Sequence, residues 1–168
     1  GALNHNTGTL TANTIDMVNG NLTSKAALNS NTITFTGTGS MINSNVMRGV
    51  VAGTAVDITF AGGNLTNSGT MTVGAMVLTG TGKIDNNLGT LNTDTVAIVN
   101  GTITNKAILT STDITFTGTG NIVNSKDIKE RNLGGGIDIT FAGGSLTNTG
   151  NMLTVDALEF TLSGALNN

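Results

Sequence analysis

The chain has no cysteine, proline, tryptophan or tyrosine, and only 10% of it is charged. Each absence removes a class of chemistry. Without cysteine there is neither a disulfide nor a thiolate metal site. Without proline, every residue keeps a backbone N–H to donate, as strands inside a sheet require. Lys and Arg total 7 against 10 Asp and Glu, a formal net charge of −3. No basic stretch is interleaved with aromatics, so nucleic acid is not an expected partner. No apolar run approaches the roughly 18 residues of a membrane-spanning helix. There is no signal peptide or lipidation motif, and the chain starts with Gly1, which reads as a processed or excerpted polypeptide.

What is abundant is Thr, Asn and Gly, and their order repeats. Residues 9–89 and 90–168 form two copies of one super-repeat of 81 residues. Val18-Asn19-Gly20 returns as Val99-Asn100-Gly101, and Asp57-Ile58-Thr59-Phe60-Ala61-Gly62-Gly63 returns as Asp138-Ile139-Thr140-Phe141-Ala142-Gly143-Gly144. Such a period marks a stacked, quasi-one-dimensional architecture. A shorter unit lies inside it. An aliphatic residue opens each turn at Leu3, Leu22, Met41, Leu65, Ile84, Ile103, Ile122, Leu146 and Leu166, at intervals of 19 residues that lengthen to 24 twice and to 20 at the last step. Two residues on, Asn recurs at Asn43, Asn67, Asn86, Asn105, Asn124, Asn148 and Asn168, with only His5 and Ser24 breaking the column.

Each turn closes on an alternating segment such as Ile33-x-Phe35 or Ile114-x-Phe116. Period two is the strand signature, because successive side chains leave opposite faces of the pleat. All five Phe (Phe35, Phe60, Phe116, Phe141 and Phe160) fall on the second inward position and are expected to form one core column. A weaker third strand is expected around Leu10, Leu28, Met71, Leu91, Leu109 and Met152. The expectation is an all-β, right-handed parallel β-solenoid. It has about eight turns of ~19 residues, two of them extended to ~24, forms a single continuous domain over residues 1–168, and is roughly 38 Å long at one strand spacing per turn. Abundant Thr, Asn and Gly, and the lack of any persistent 3.6-residue stripe, argue against helix. Stacked Asn side chains are expected to form an axial hydrogen-bond ladder. Glycines from Gly20 to Gly144 are read as corners that need positive φ or close backbone approach.

The pattern Gly-x-Ile/Leu-x-Asn-x-Gly followed by Thr-rich alternation, as in Gly63-Asn64-Leu65-Thr66-Asn67-Ser68-Gly69 and Gly144-Ser145-Leu146-Thr147-Asn148-Thr149-Gly150, resembles the filamentous-haemagglutinin-like and autotransporter passenger β-helices of Gram-negative bacteria. The Ile-Thr-Phe-Ala-Gly-Gly segments are similar to rickettsial surface-antigen passengers. The resemblance spans essentially the whole chain, but its motifs specify a fold more than a family. It implies a secreted, surface-displayed, extended structure, an adhesin or its stalk, with a host or cell-surface receptor as a further partner. The chain carries no secretion domain, cap or translocator barrel of those families. Gly1-Ala2-Leu3-Asn4 reappears as Gly164-Ala165-Leu166-Asn167, so the expected partner is self: head-to-tail stacking, or continuation of a longer chain.

Candidate recognition sites are the two extended turns. The first insertion is Met47-Arg48-Gly49-Val50-Val51-Ala52-Gly53, with Arg48 as its charge. The second runs Lys129-Glu130-Arg131-Asn132-Leu133-Gly134-Gly135 and, with Lys126 and Asp127, gathers Lys126, Lys129, Glu130 and Arg131. Loops on a rigid scaffold are where recognition concentrates, although a tolerated, solvated insertion is the plainer reading. Asp113 and Asp138 head adjacent turns, a pairing calcium would accept, yet the Gly-Gly-x-Gly-x-Asp nonapeptide is absent, so no metal or other cofactor is expected. Threonine rows such as Thr32-x-Thr34-x-Thr36 do not continue from turn to turn, which leaves a glycan- or ice-binding face as the alternative function. His5 is read as a substitute in the Asn column. The sequon-like Asn21, Asn64 and Asn100 recur because corners favour Asn and strands favour Thr. No carboxylate cluster with a Lys or Arg base points to catalysis, and the expected role is structural rather than enzymatic.

Overall fold

In the computed structural model, residues 1–51, 53–130, 138–153 and 157–168 are described, with Asp138, Ile139, Phe141, Ala157, Leu158 and Phe160 described by backbone alone. The protein is a parallel β-solenoid of about eight turns with ~19-residue spacing, all β among the described residues. Two sheets run along it. The first has 9 short strands in chain order: Ala2–His5, Asn21–Ser24, Ser40–Asn43, Asn64–Asn67, Lys83–Asn86, Thr102–Asn105, Asn121–Asn124, Ser145–Asn148 and Leu166–Asn167. The second has 12, beginning with Thr9–Val18 and Ala27–Thr36 and ending with Asn151–Leu153 and Ala157–Thr161. Every pairing in both sheets is parallel, each turn laid on the one before, as in Ile84↔Ile103 and Asn86↔Asn105.

The third strand expected from the sequence is not a separate element in four of the turns. Thr9–Val18, Ala27–Thr36, Thr70–Thr79 and Thr90–Val99 each run unbroken for 10 residues and carry both segments. The side-chain pattern shows how. In Ala27–Thr36, Leu28 and Ser30 point inward, as do Ile33 and Phe35, so Asn31 and Thr32 leave the pleat consecutively on the outside. Thr90–Val99 shifts phase in the same way at Asp94 and Thr95, between Thr93 and Val96. The chain bends there, and because neighbouring turns bend at equivalent residues the hydrogen-bond ladder survives: Ala12↔Ser30 and Thr14↔Thr32 stay in register. Elsewhere the same path divides, as in Val46–Arg48 with Val56–Ala61, and Ile108–Ser111 with Asp113–Thr117.

The core fills the narrow space between the sheets. Leu22, Met41, Leu65, Ile84, Ile103, Ile122 and Leu146 line it from the first sheet, and none is more than 2% exposed. From the second sheet, one file runs Met17↔Phe35↔Phe60↔Leu78↔Ile98↔Phe116↔Phe141↔Phe160 in backbone register. The Phe35, Phe60 and Phe116 side chains are fully buried; those of Phe141 and Phe160 lie outside the described residues. Phe35 and Phe60 stack with ring centroids 4.8 Å apart and planes 14° from parallel. One strand spacing is also the preferred separation of offset aromatic rings, so this file serves sheet geometry and π-packing together.

Candidate functional site

The most extensive polar arrangement lies inside the stack. At the end of the first-sheet strands from Ser40–Asn43 to Ser145–Asn148 an asparagine turns inward, and Asn43, Asn67, Asn105 and Asn124 are wholly buried. Each Nδ2 donates to the Oδ1 of the next turn: Asn43 to Asn67 at 3.0 Å, Asn67 to Asn86 at 3.0 Å, Asn86 to Asn105, Asn105 to Asn124 and Asn124 to Asn148 at 2.8 Å, and Asn148 to Asn168 at 2.6 Å. Every donor faces the C-terminal neighbour, so the ladder has a direction. A second Nδ2 bond closes the adjoining corner, to the Ile108 carbonyl from Asn86 (3.0 Å), the Lys126 carbonyl from Asn124 (2.7 Å) and the Gly150 carbonyl from Asn148 (3.1 Å). A carboxamide is needed here because it alone offers, on one flat group, an acceptor for the turn below, a donor for the turn above and a second donor for a corner carbonyl. Toward the N-terminus the column changes residue but keeps the corner bond: Ser24 Oγ donates to the Ala26 carbonyl at 3.0 Å, and His5 Nε2 lies 3.0 Å from the Ala27 carbonyl.

A glycine column marks the next corner. Gly20, Gly39, Gly63, Gly82, Gly101, Gly120, Gly144 and Gly164 each precede the opening aliphatic by two residues. A Cβ on Gly39 would stand 2.2 Å from the Gly20 carbonyl oxygen, on Gly63 1.8 Å from that of Gly39, and on Gly120 1.5 Å from that of Gly101. Backbone of adjacent turns occupies the space a side chain would need. Positive φ belongs mostly to other residues of the same corner, among them Gly37, Gly62, Gly80 and Gly118, together with Asn19 and Asn100. The sequence reading merged these two requirements; the spacing from each opener was the signal that separates them.

Hydroxyls at the bend were not foreseen. Ser30, Thr93 and Ser111 point inward there, and their oxygens donate to the carbonyls of Thr32 (2.9 Å), Thr95 (2.8 Å) and Asp113 (2.8 Å). Their sequence signal is a three-residue step where the inward period should be two.

The candidate recognition residues are spread out. Arg48 ends strand Val46–Arg48 and donates from Nε to Asn29 Oδ1 at 3.2 Å. The insertion after it leaves from the bend, and Gly49 N–H bonds the Thr54 carbonyl at 2.9 Å while Thr54 N–H bonds that of Val51 at 3.0 Å. Lys126 is at a different corner, where its carbonyl accepts Asn124 Nδ2. Lys129 and Glu130 end strand Asp127–Glu130, in register with Thr110 and Ser111. Arg48 and Lys129 hold equivalent places in the two copies, so the charges of the second insertion are divided between two corners. Arg131 and the rest of that insertion through Ile137 lie outside the described residues. Asp113 pairs with Asp138 in backbone register, and among the described residues no three metal-ligating side chains of His, Cys, Asp or Glu come together.

The C-terminal coil carries a cavity of about 410 Å³, lined by Leu146, Asn148, Gly150, Met152, Leu166 and Asn168 among others. These are the residues that elsewhere in the stack meet the following turn. No helix among the described residues is long and apolar enough to cross a membrane. No protein-family model, curated protein or solved structure matches the chain at a significant level. The class of protein is therefore defined by its own geometry: a β-solenoid repeat module.

Proposed function

We propose that this chain is a structural β-solenoid segment of an extracellular bacterial fibre or adhesin stalk, displayed at the cell surface and without catalytic activity of its own. The observation that carries the proposal is the one-directional asparagine ladder from Asn43 to Asn168, in step with the core. Buried amides that bond one another from turn to turn along the axis make each turn depend on the next, which stiffens a rod. The partner in this reading is another coil of the same grammar, from a second copy or a longer chain. It would seat over Leu146, Met152 and Leu166 and continue the ladder at Asn168. A surface receptor would engage the outer faces.

Negative-stain images of the purified chain test the reading. Straight rods one solenoid wide, or filaments of that width, are the expected result. Flexible or irregular particles would overturn it.

A further inference from the structure

The sequence contains two Asn–Gly pairs, Asn19-Gly20 and Asn100-Gly101, one in each copy of the super-repeat. These two asparagines are also the non-glycine residues with positive φ among the described residues, 49° at Asn19 and 61° at Asn100. Both are exposed. In each, Oδ1 accepts a backbone N–H from the following turn, from Thr38 at 3.2 Å and from Thr119 at 3.1 Å. Each side chain lies against a glycine of that turn, so close that a Cβ on Gly37 or Gly118 would meet Oδ1 at 2.0 or 1.9 Å. Among the described residues, neither Nδ2 has a protein partner. The ladder asparagines from Asn43 to Asn148 differ: they are buried, bonded through Nδ2 and not followed by glycine.

The geometry points to a pair of self-modification sites at which Asn19 and Asn100 deamidate ahead of every other asparagine in the folded chain. The backbone nitrogen of Gly20 or Gly101 attacks the side-chain Cγ, with no side chain on the attacking residue to obstruct it. The N–Cγ bond forms, the Cγ–Nδ2 bond breaks, and Nδ2 leaves as ammonia with the glycine proton, giving a five-membered succinimide. Water then opens either of its carbonyls to aspartate or isoaspartate. The Thr38 or Thr119 N–H polarises the carbonyl under attack and stabilises the negative charge that develops on Oδ1. Attacking and attacked groups belong to neighbouring residues, so the reaction is intramolecular. Nothing is oxidised or reduced, and the only co-reactant is water.

Aspartate can still accept the Thr38 or Thr119 N–H. Isoaspartate adds a methylene to the backbone at a corner where turns are in close contact, and it loosens the stack there.

The test is to incubate the full chain at mildly alkaline pH and follow each asparagine peptide by mass spectrometry with isoaspartate detection. Peptides holding Asn19 and Asn100 are expected to gain one mass unit about tenfold faster than any other, with isoaspartate present. Conversion at other asparagines at the same pace or sooner overturns the assignment. The Asn19→Asp, Asn100→Asp double variant carries the charge without the methylene. It should keep the melting temperature of fresh protein while the aged wild type melts lower; an aged chain that melts like the fresh one overturns the loosening.

Discussion

Two corners of the same coil treat added chain in opposite ways. At the glycine corner the backbones of successive turns press together, and a Cβ on Gly82 would stand 2.0 Å from the Gly63 carbonyl oxygen. At the bend within the second sheet, the strand leaves two consecutive residues outside, and a hydroxyl such as Ser111 Oγ spans the inside. That corner accommodates the insertion between Arg48 and Val56 while Met47 and Ile58 remain fully buried. The solenoid thus takes in a long insertion at the bend, whereas the glycine corner, where backbone of adjacent turns is in closest contact, varies in length by a single residue from turn to turn.

The contrast is most exposed to failure at Gly120. Gly120→Ala should destabilise the fold by about 3 kcal/mol, the upper end of overpacking costs, because the added carbon meets the Gly101 oxygen at 1.5 Å. Chemical denaturation measures it, and a loss below a third of that figure would mean the corner can relax. Next in size is Asn105→Leu, which keeps the branched heavy-atom shape and removes the amide. It leaves Asn86 Nδ2 without its 2.8 Å acceptor and Asn124 Oδ1 without its donor, for about 2 kcal/mol. Hydrogen exchange should rise in the turns on both sides of residue 105; a change confined to its own strand would show that the ladder does not couple turns. The smallest effect is expected at the tolerant corner. A Gly-Ser pair inserted after Val51 should cost about 0.5 kcal/mol, since lengthening a surface loop adds little closure entropy. A melting point lowered as far as that of Gly120→Ala would erase the distinction between the corners.

Much of the fold was legible because its signals are periodic. Inward Ile33 and Phe35, the openers from Leu22 to Leu146 and the asparagine column all follow from alternation plus a repeat near 19 residues, and each pairs in the structure with its counterpart one turn on. The candidate site was less legible. Lys126 and Lys129 are close in sequence, yet a corner and a strand separate their roles, because three residues of extended chain are enough to cross from one edge of a narrow coil to the bend. Continuity of the strand through the bend was hidden, since a continuous hydrogen-bonded strand and two separate strands have the same inward residues.

Composition and period alone determined that the chain would stack parallel strands around an aliphatic and phenylalanine core, since those properties depend on residues within one turn and recur in the next. The tertiary structure decided which glycines exist for contact rather than for φ. It also decided that three hydroxyls would close the bend, and that every ladder amide would donate toward the C-terminus. Those outcomes depend on what the neighbouring turn places within a few ångströms, and no window of sequence contains that neighbour.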